Sequence, residues 1–363
     1  MEEGTVAEWQ FAEGDTIARG DEVVFIETSK ITGPLESTLE GVLQKIVAQP
    51  GAVLPVGGLL AVVTDGKADS ADIDAFVADF QANFVPAAAS ENDAAAAAQV
   101  VEVEGRRISY VLTAPEECEG ATPVLLVHGF GGDKSGWLFN SSELAQDRPV
   151  YAFDLPGHGE SSKDVGEADL EMFASSVVGF LDALEIDAAH IVAHSMGGAI
   201  ALSVTTKHPS RVASLALIGA CGLGEGINRG FIDGYITAQR RKEIKPVLQE
   251  LFPNPELVTR DMIDNVLKFK RLDGVPEALQ KVADVFFPDG KQAIQFRDQL
   301  SGLEQRVLVI WGAEDTIVYP VDAEGLPDAV EVHVLDGVGH IPQMEAAPEV
   351  NRLLTAHLRA AEK

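Results

Sequence analysis

The chain has 363 residues, with 27 Lys and Arg against 57 Asp and Glu, for a net charge of −30. So acidic a surface repels phosphate backbones and anionic membrane surfaces, which excludes nucleic acid and membranes as partners and leaves solubility as what the charge serves. Hydrophobic residues at 46% supply core for two or three domains, no apolar run approaches ~18 residues, and the two cysteines, Cys118 and Cys221, form no CxxC or metal spacing. The opening Met1-Glu2-Glu3-Gly4 has neither a basic nor an apolar leader segment, so a cytoplasmic protein without a metal is expected.

Residues 1–66 contain an internal repeat. Gly4, Gly14 and Gly20 are spaced by ten and then six, and Gly41, Gly51 and Gly57 repeat that spacing 37 residues later. The apolar runs shift with them: Val23-Val24-Phe25-Ile26 answers Leu60-Ala61-Val62-Val63. Short β-rich runs punctuated by glycine read as strands and turns, and two copies pack as a small pseudo-symmetric sandwich. Between the copies lies Glu27-Thr28-Ser29-Lys30-Ile31, so Lys30 falls at the join of the two halves, on a turn free to carry a covalent group.

Residues 68–85 place Ile73, Phe76, Val77, Phe80 and Phe84 at helical spacing, a stripe for packing on a neighbouring domain. Residues 86–98 hold Pro86 and an alanine-rich tract with no core-forming side chains, which reads as a linker within the span 67–99. From about Val100 onward strands alternate with helices. Strands are expected at Val124–Val127, Val150–Phe153, Ala189–Ala193, Ser214–Ile218, Val307–Ile310 and Val330–Leu335, with helices at 167–185 and 196–208. That alternation implies a mostly parallel sheet covered by helices over residues 100–363, interrupted by a helical cap at about 223–297.

The chemistry sits at strand ends. Ala193-His194-Ser195-Met196-Gly197-Gly198 puts a serine on a tight strand-to-helix turn whose neighbours must be small; alanine stands where the first glycine of G-x-S-x-G is usual. His128-Gly129-Phe130-Gly131-Gly132 closes an earlier strand, and the backbone N–H groups of Phe130 and Met196 are the expected oxyanion donors. Asp315 follows the run Val309-Ile310-Trp311-Gly312, and His340 follows the last strand through Gly337-Val338-Gly339. In the order Ser195, Asp315, His340, the histidine takes the serine proton and the aspartate fixes its tautomer, with Glu314 the adjacent competitor for the acid. The side chain of His194 is expected to point away from the nucleophile. His158, in Asp154-Leu155-Pro156-Gly157-His158-Gly159, and His190, His208, His333 and His357 read as structural.

Three resemblances follow from these motifs. Gly14-Asp15, Gly20-Asp21 and Glu27-Thr28-Ser29-Lys30 resemble the lipoyl domains of 2-oxo-acid dehydrogenase complexes, with Ser29 where aspartate is usual; this implies lipoate in amide linkage on Lys30. Biotin carriers flank their lysine with methionines, and Ser29 and Ile31 argue against biotin. That family places a strand ahead of the segment matching Glu2-Glu3-Gly4, so either that strand is absent here or the translation start lies upstream of Met1, and the upstream start is the expectation. Residues 100–363 resemble the α/β-hydrolase superfamily. The fusion, with its Glu-Thr-Ser-Lys-Ile wording, is similar to the acetyltransferase components of bacterial acetoin dehydrogenase complexes. It implies an acyl group passed from lipoyl-Lys30 through Ser195 to coenzyme A. It also implies a thiamine-diphosphate-dependent dehydrogenase, dihydrolipoamide dehydrogenase and lipoate ligase as partners. The His-x-x-x-Asp-Gly signature of the usual lipoyl acyltransferases is not found. Hydrolysis, with water as acceptor and the lipoyl domain delivering substrate, is the alternative; a non-catalytic carrier fits poorly with an intact triad.

Overall fold

The computed structural model describes residues 3–27, 32–37, 39–55, 58–66, 68–83, 97–116, 118 and 120–362. The chain separates into two compact units, Met1–Ala95 and Ala96–Lys363.

The first unit is built of short antiparallel strands: β1 (Glu3–Trp9), β2 (Thr16–Ile17), β3 (Glu22–Glu27), β4 (Thr32–Glu36), β5 (Gly41–Ile46), β6 (Val53–Pro55) and β7 (Ala61–Thr64). They form sheets ordered β4-β3-β1-β6 and β2-β5-β7. The repeat is expressed atom by atom. Gly14 N donates to Leu43 O at 2.7 Å and, 37 residues on, Gly51 N donates to Val6 O at 2.7 Å. Leu43 N to Asp15 O and Val6 N to Ala52 O, both 2.9 Å, form the same reciprocal pair. Gly14 and Gly51 both take positive φ, +97° and +88°, where a side chain would be strained. Val6, Ile17, Val24 and Leu43 fill the small core.

Lys30, with Thr28, Ser29 and Ile31, lies outside the described residues, as does most of the alanine-rich tract. The strands flanking the Lys30 segment pair with Glu27 opposite Thr32. Helix α1 (Ser70–Asn83) buries Ile73 and Val77 and is tied to β5 by an ion pair between Asp74 and Lys45. Phe76, assigned to the apolar stripe, is instead 53% exposed, because the buried face of α1 is only the narrow Ile73/Val77 edge; Phe84 lies outside the described residues.

The second unit is built on an eight-stranded sheet, ordered from one edge as Val330–Leu335 (β15), Arg306–Gly312 (β14), Val212–Ile218 (β13), Ala189–His194 (β12), Val124–Val127 (β10), Val150–Phe153 (β11), Arg106–Thr113 (β9) and Gln99–Val103 (β8). β8 (Gln99–Val103) and β9 (Arg106–Thr113) form an antiparallel hairpin at one edge, with β9 antiparallel to β11. The remaining strands are parallel: β10 (Val124–Val127), β11 (Val150–Phe153), β12 (Ala189–His194), β13 (Val212–Ile218), β14 (Arg306–Gly312) and β15 (Val330–Leu335). Between β10 and β13 lie α2 (Ser141–Leu144), α3 (Leu170–Ala183) and α4 (Met196–Lys207). The cap between β13 and β14 comprises α5 (Arg229–Thr237), α6 (Arg241–Gln249), α7 (Arg260–Lys270) and α8 (Val275–Phe286). After β15 come α9 (Pro342–Glu345) and α10 (Ala347–Ala361).

A parallel sheet covered on both faces buries every side chain of its central strands. In β10, Leu125 and Val127 join the core beneath α3, α4 and the cap, while Val124 and Leu126 join the core beneath α10. β11 and β12 leave β10 on opposite sides, so chain order reverses there. Crevices at the carboxyl ends of strands around such a reversal are where α/β sheets place ligands.

Candidate active site

β12 delivers Ser195. The residue has φ 54° and ψ −123°, outside the regions a non-glycine residue favours, a strain worth ~1–3 kcal/mol that the surroundings must hold. They do so with backbone hydrogen bonds: Ser195 N donates to Ile218 O at 3.0 Å, and Ser195 O accepts from Gly198 N at 2.8 Å and Cys221 N at 2.9 Å. A Cβ at Gly197 would lie 2.6 Å from His128 O, and one at Gly198 2.5 Å from Ala220 Cβ, so α4 starts against β10 and β13 only with glycine at both. Ala193 is fully buried where glycine is usual, and its methyl is accommodated inside β12.

The turns after β14 and β15 bring the other two residues to the serine. His340 Nε2 lies 3.1 Å from Ser195 Oγ, and His340 Nδ1 lies 2.8 Å from Asp315 Oδ2. Asp315 Oδ1 accepts from Ile317 N at 2.8 Å and Val318 N at 3.0 Å. With the acceptor-only carboxylate at Nδ1, that nitrogen carries the proton and Nε2 is left to accept from the serine hydroxyl. All three residues are buried, whereas the Glu314 side chain is exposed.

Two residues that hold His340 have no motif of their own. Both carboxylate oxygens of Glu345 accept from Gly339 N, at 3.1 and 3.0 Å, and Oε1 also accepts from Ile341 N at 3.1 Å. Burial raises the Glu345 pKa against the pull of these donors. His194 was expected to face away from the nucleophile. Its Nε2 instead donates to His340 O at 2.8 Å, and its ring lies 4.8 Å from the His340 ring on the wall of the same cavity. Side-chain alternation presumes more strand on either side; past the end of β12 the space belongs to the His340 turn. Burial pushes the His194 pKa down to about 3, so it works as a neutral donor. The cap contributes as well, since His340 N donates to Leu251 O at 2.9 Å.

The glycine-rich loop after β10 forms the opposite wall. A Cβ at Gly129 would sit 2.7 Å from Ser195 Cβ, a closeness only glycine permits. The neutral ring of His128, its pKa lowered by burial, bridges the Gly129 carbonyl at Nδ1 (2.8 Å) and the Leu155 N–H at Nε2 (3.0 Å). Neither the Phe130 N–H nor the Met196 N–H has a hydrogen-bond partner among the described residues, which leaves both for a ligand oxygen. His158 packs on His128 in a turn organised by Asp154, which accepts from Lys134 Nζ at 2.7 Å and Glu160 N at 2.8 Å. His158, His190, His208, His333 and His357 do not line the cavity. Among the described residues no group of His, Cys, Asp or Glu is placed to hold a metal, and no helix is long and apolar enough to cross a membrane.

Ser195 and His340 open into a cavity of ≈ 250 Å³, roofed by the cap with Phe231, Leu248, Met262, Val266, Phe269 and Phe287. The apolar roof faces polar groups on the floor, His128, His194, Ser195 and His340 among them, a mix common to ligand cavities.

Comparison with known proteins matches residues 122–347 to the alpha/beta hydrolase fold and residues 1–63 to the biotin-requiring enzyme family. The chain is 46% identical to the dihydrolipoyllysine-residue acetyltransferase component of the acetoin cleaving system of Pseudomonas putida, over 99% of this chain and 95% of that one. It is 43% identical to the component of the same name from Cupriavidus necator, over 99% and 94%. Among solved structures, a meta-cleavage product hydrolase from Pseudomonas fluorescens superposes with a TM-score of 0.64 at 23% identity, covering 72% of this chain and 98% of that one, which speaks to the fold alone.

Proposed function

We propose, from the chain's membership of the family of dihydrolipoyllysine-residue acetyltransferase components of acetoin cleaving systems, with an α/β-hydrolase unit as the catalytic part, that Ser195 relays the acetyl group between two thiols. The protein is an acyltransferase; its cofactors are lipoate and coenzyme A. Lipoate, bound on Lys30, supplies a swinging arm that presents the acetyl group as a thioester at high local concentration. The pairing of β3 with β4 on either side of the Lys30 segment, within a sandwich of two matched halves, is compatible with such an arm.

Each step is assigned to this chain's own groups. Ser195 Oγ attacks the thioester carbonyl while its proton passes to His340 Nε2, and Asp315 stabilises the imidazolium. The N–H groups of Phe130 and Met196 receive the developing oxyanion. His340 returns the proton to the departing thiol, leaving acetyl-Ser195. His340 then removes the proton of the coenzyme A thiol, the sulfur attacks the acetyl carbonyl, and Ser195 leaves with that proton. The observation that carries this reading is the relay Ser195–His340–Asp315, closed at 3.1 and 2.8 Å, with Ser195 and His340 lining a cavity roofed by apolar cap side chains.

The chain works as a component of an acetoin cleaving system with other subunits. A thiamine-diphosphate-dependent dehydrogenase loads the acetyl group, dihydrolipoamide dehydrogenase reoxidises the arm, lipoate ligase attaches it, and the setting is the cytoplasm. The test is to supply acetyl-dihydrolipoamide with and without coenzyme A and to quantify acetyl-CoA against free acetate. Acetyl-CoA in excess supports transfer; acetate formed at the same rate in both arms overturns it in favour of hydrolysis.

A further inference from the structure

The loop that presents the Phe130 N–H has glycine at three of its four positions after His128, Gly129, Gly131 and Gly132. Glycine brings close approach to Ser195 but also free rotation, so such a loop keeps one shape only if other groups hold it. From below, the His128 ring holds the Gly129 carbonyl at 2.8 Å, and Gly132 N donates to the same oxygen at 3.1 Å. From above, the holding group belongs to the cap: Tyr235, on α5, donates its hydroxyl to Gly131 O at 2.7 Å. The fit is close. Gly131 has φ +70°, and a Cβ there would lie 2.6 Å from the tyrosine ring. The Phe130 ring is gripped edge-on by Tyr235 at 5.9 Å and by Phe287 at 6.0 Å. Tyr235 is itself anchored, because the Lys270 ammonium of α7 donates to the main-chain oxygens of Tyr235 and Ala238 and lies 5.4 Å over the Tyr235 ring. Those carbonyls end α5 and would otherwise lack partners.

We infer that Tyr235 is a positioning residue for acyl transfer: with the Gly129 carbonyl held from below, its hydroxyl fixes the Gly131 carbonyl on the other side of Phe130, and the two anchors together steady the loop whose Phe130 N–H meets the oxyanion formed when Ser195 attacks. The cap is then part of the stabilising apparatus as well as a roof, and the loop is competent only when α5 is seated. This rests on the Ser195 chemistry proposed above but not on the choice of acceptor, because acylation precedes both acetyl-CoA and acetate.

The experiment is Tyr235→Phe in the full chain, read by steady-state turnover of acetyl-dihydrolipoamide and by inhibition with a trifluoromethyl ketone analogue of the thioester, which forms a tetrahedral adduct on the serine. The expected result is a fall in kcat of about 10- to 100-fold, below the ~10²–10³ for loss of a whole oxyanion donor. KM should change less than about twofold, while Ki for the ketone rises by the factor lost from kcat/KM. An unchanged kcat with a lowered melting temperature would leave Tyr235 a packing residue and overturn the inference. Should the Phe variant not fold, tetrafluorotyrosine at position 235 retains ring and hydroxyl. Its phenol is far more acidic, and kcat should fall as it loses the donated proton, in a pH range where the wild type is flat; a flat profile overturns the inference. If the wild type yields acetate rather than acetyl-CoA, the acceptor assignment fails while the same Tyr235 effect is read on acetate release.

Discussion

Replacing Asp315 with Asn should leave the fold in place and stop most of the chemistry, and the geometry says why. Asp315 Oδ1 accepts from Ile317 N and Val318 N, at 2.8 and 3.0 Å, and only Oδ2 faces His340. An asparagine must therefore keep its carbonyl oxygen toward the two backbone donors. The opposite flip would set its NH₂ against two N–H groups and leave both unpaired, at about 1–3 kcal/mol each. The NH₂ is thus forced toward His340 Nδ1, which becomes an acceptor and moves the ring proton to Nε2. That nitrogen, 3.1 Å from Ser195 Oγ, is then unable to receive the serine proton. In serine proteases the same exchange costs ~10⁴ in turnover, equivalent to about 5.4 kcal/mol in the barrier. The assay is acetyl-CoA formation from acetyl-dihydrolipoamide, with circular dichroism and thermal melting as checks on the fold. Turnover within tenfold of wild type, or a greater loss in Glu314→Gln than in Asp315→Asn, would refute the assignment of the acid.

Ser195→Ala should abolish acetyl-CoA and acetate production alike while intact-mass spectrometry still finds the lipoyl adduct on Lys30, since the two events use different units of the chain; retained acetyl-CoA formation would move the transfer elsewhere. Gly41 has φ +148°, and a Cβ there would meet Thr64 O at 2.3 Å. Gly41→Ala should therefore break the β5–β7 contact and reduce lipoylation, yet leave turnover of free acetyl-dihydrolipoamide within about twofold; a parallel loss of that turnover would mean the units do not fold independently. His357 is buried with neither ring nitrogen paired among the described residues, and burial takes its pKa down to about 4. Its folded pKa lies below the unfolded value, so it contributes stability that is lost as pH falls from about 6.5 toward 4, at up to ~1.4 kcal/mol per pH unit. His357→Leu should accordingly raise the denaturation midpoint more at pH 5 than at pH 7.5, and an equal change at both would count against the buried neutral ring.

The six parallel strands were legible because a sheet covered on both faces demands short, largely apolar runs, and Val124–Val127 or Ser214–Ile218, which the structure extends back to Val212, are such runs. The meeting of Ser195, Asp315 and His340 was legible because all three stand at strand ends, where local wording such as Ser195-Met196-Gly197-Gly198 or Gly339-His340 records close backbone approach. What remained hidden depends on contacts across the chain. Tyr235 meets Gly131 over 104 residues, and His194 meets the His340 carbonyl over 146. Glu345 is near His340 in sequence, but its bond to Gly339 N depends on how α9 turns, which no periodicity encodes. The β8–β9 hairpin escaped separate notice because Arg106–Thr113 mixes polar with apolar residues, as an antiparallel edge does. Phe76 misled for the converse reason: helical spacing marks a face without saying how wide the surface beneath it is.

β13 and β14 are hydrogen-bonded neighbours, yet the 87 residues between Ile218 and Arg306 separate them. On a ribosome working from the amino end, β8 to β13 emerge with the far edge of β13 unsatisfied, a hazard for association between nascent chains. Closing a flexible loop of that length costs about 4 kcal/mol, less if the cap helices have already folded on one another. Asp315 and His340 lie in the turns after the last two strands, so the serine's turn is in place well before any base stands beside it. A truncated polypeptide ending before those turns lacks both groups of the relay that Ser195 meets in the complete chain.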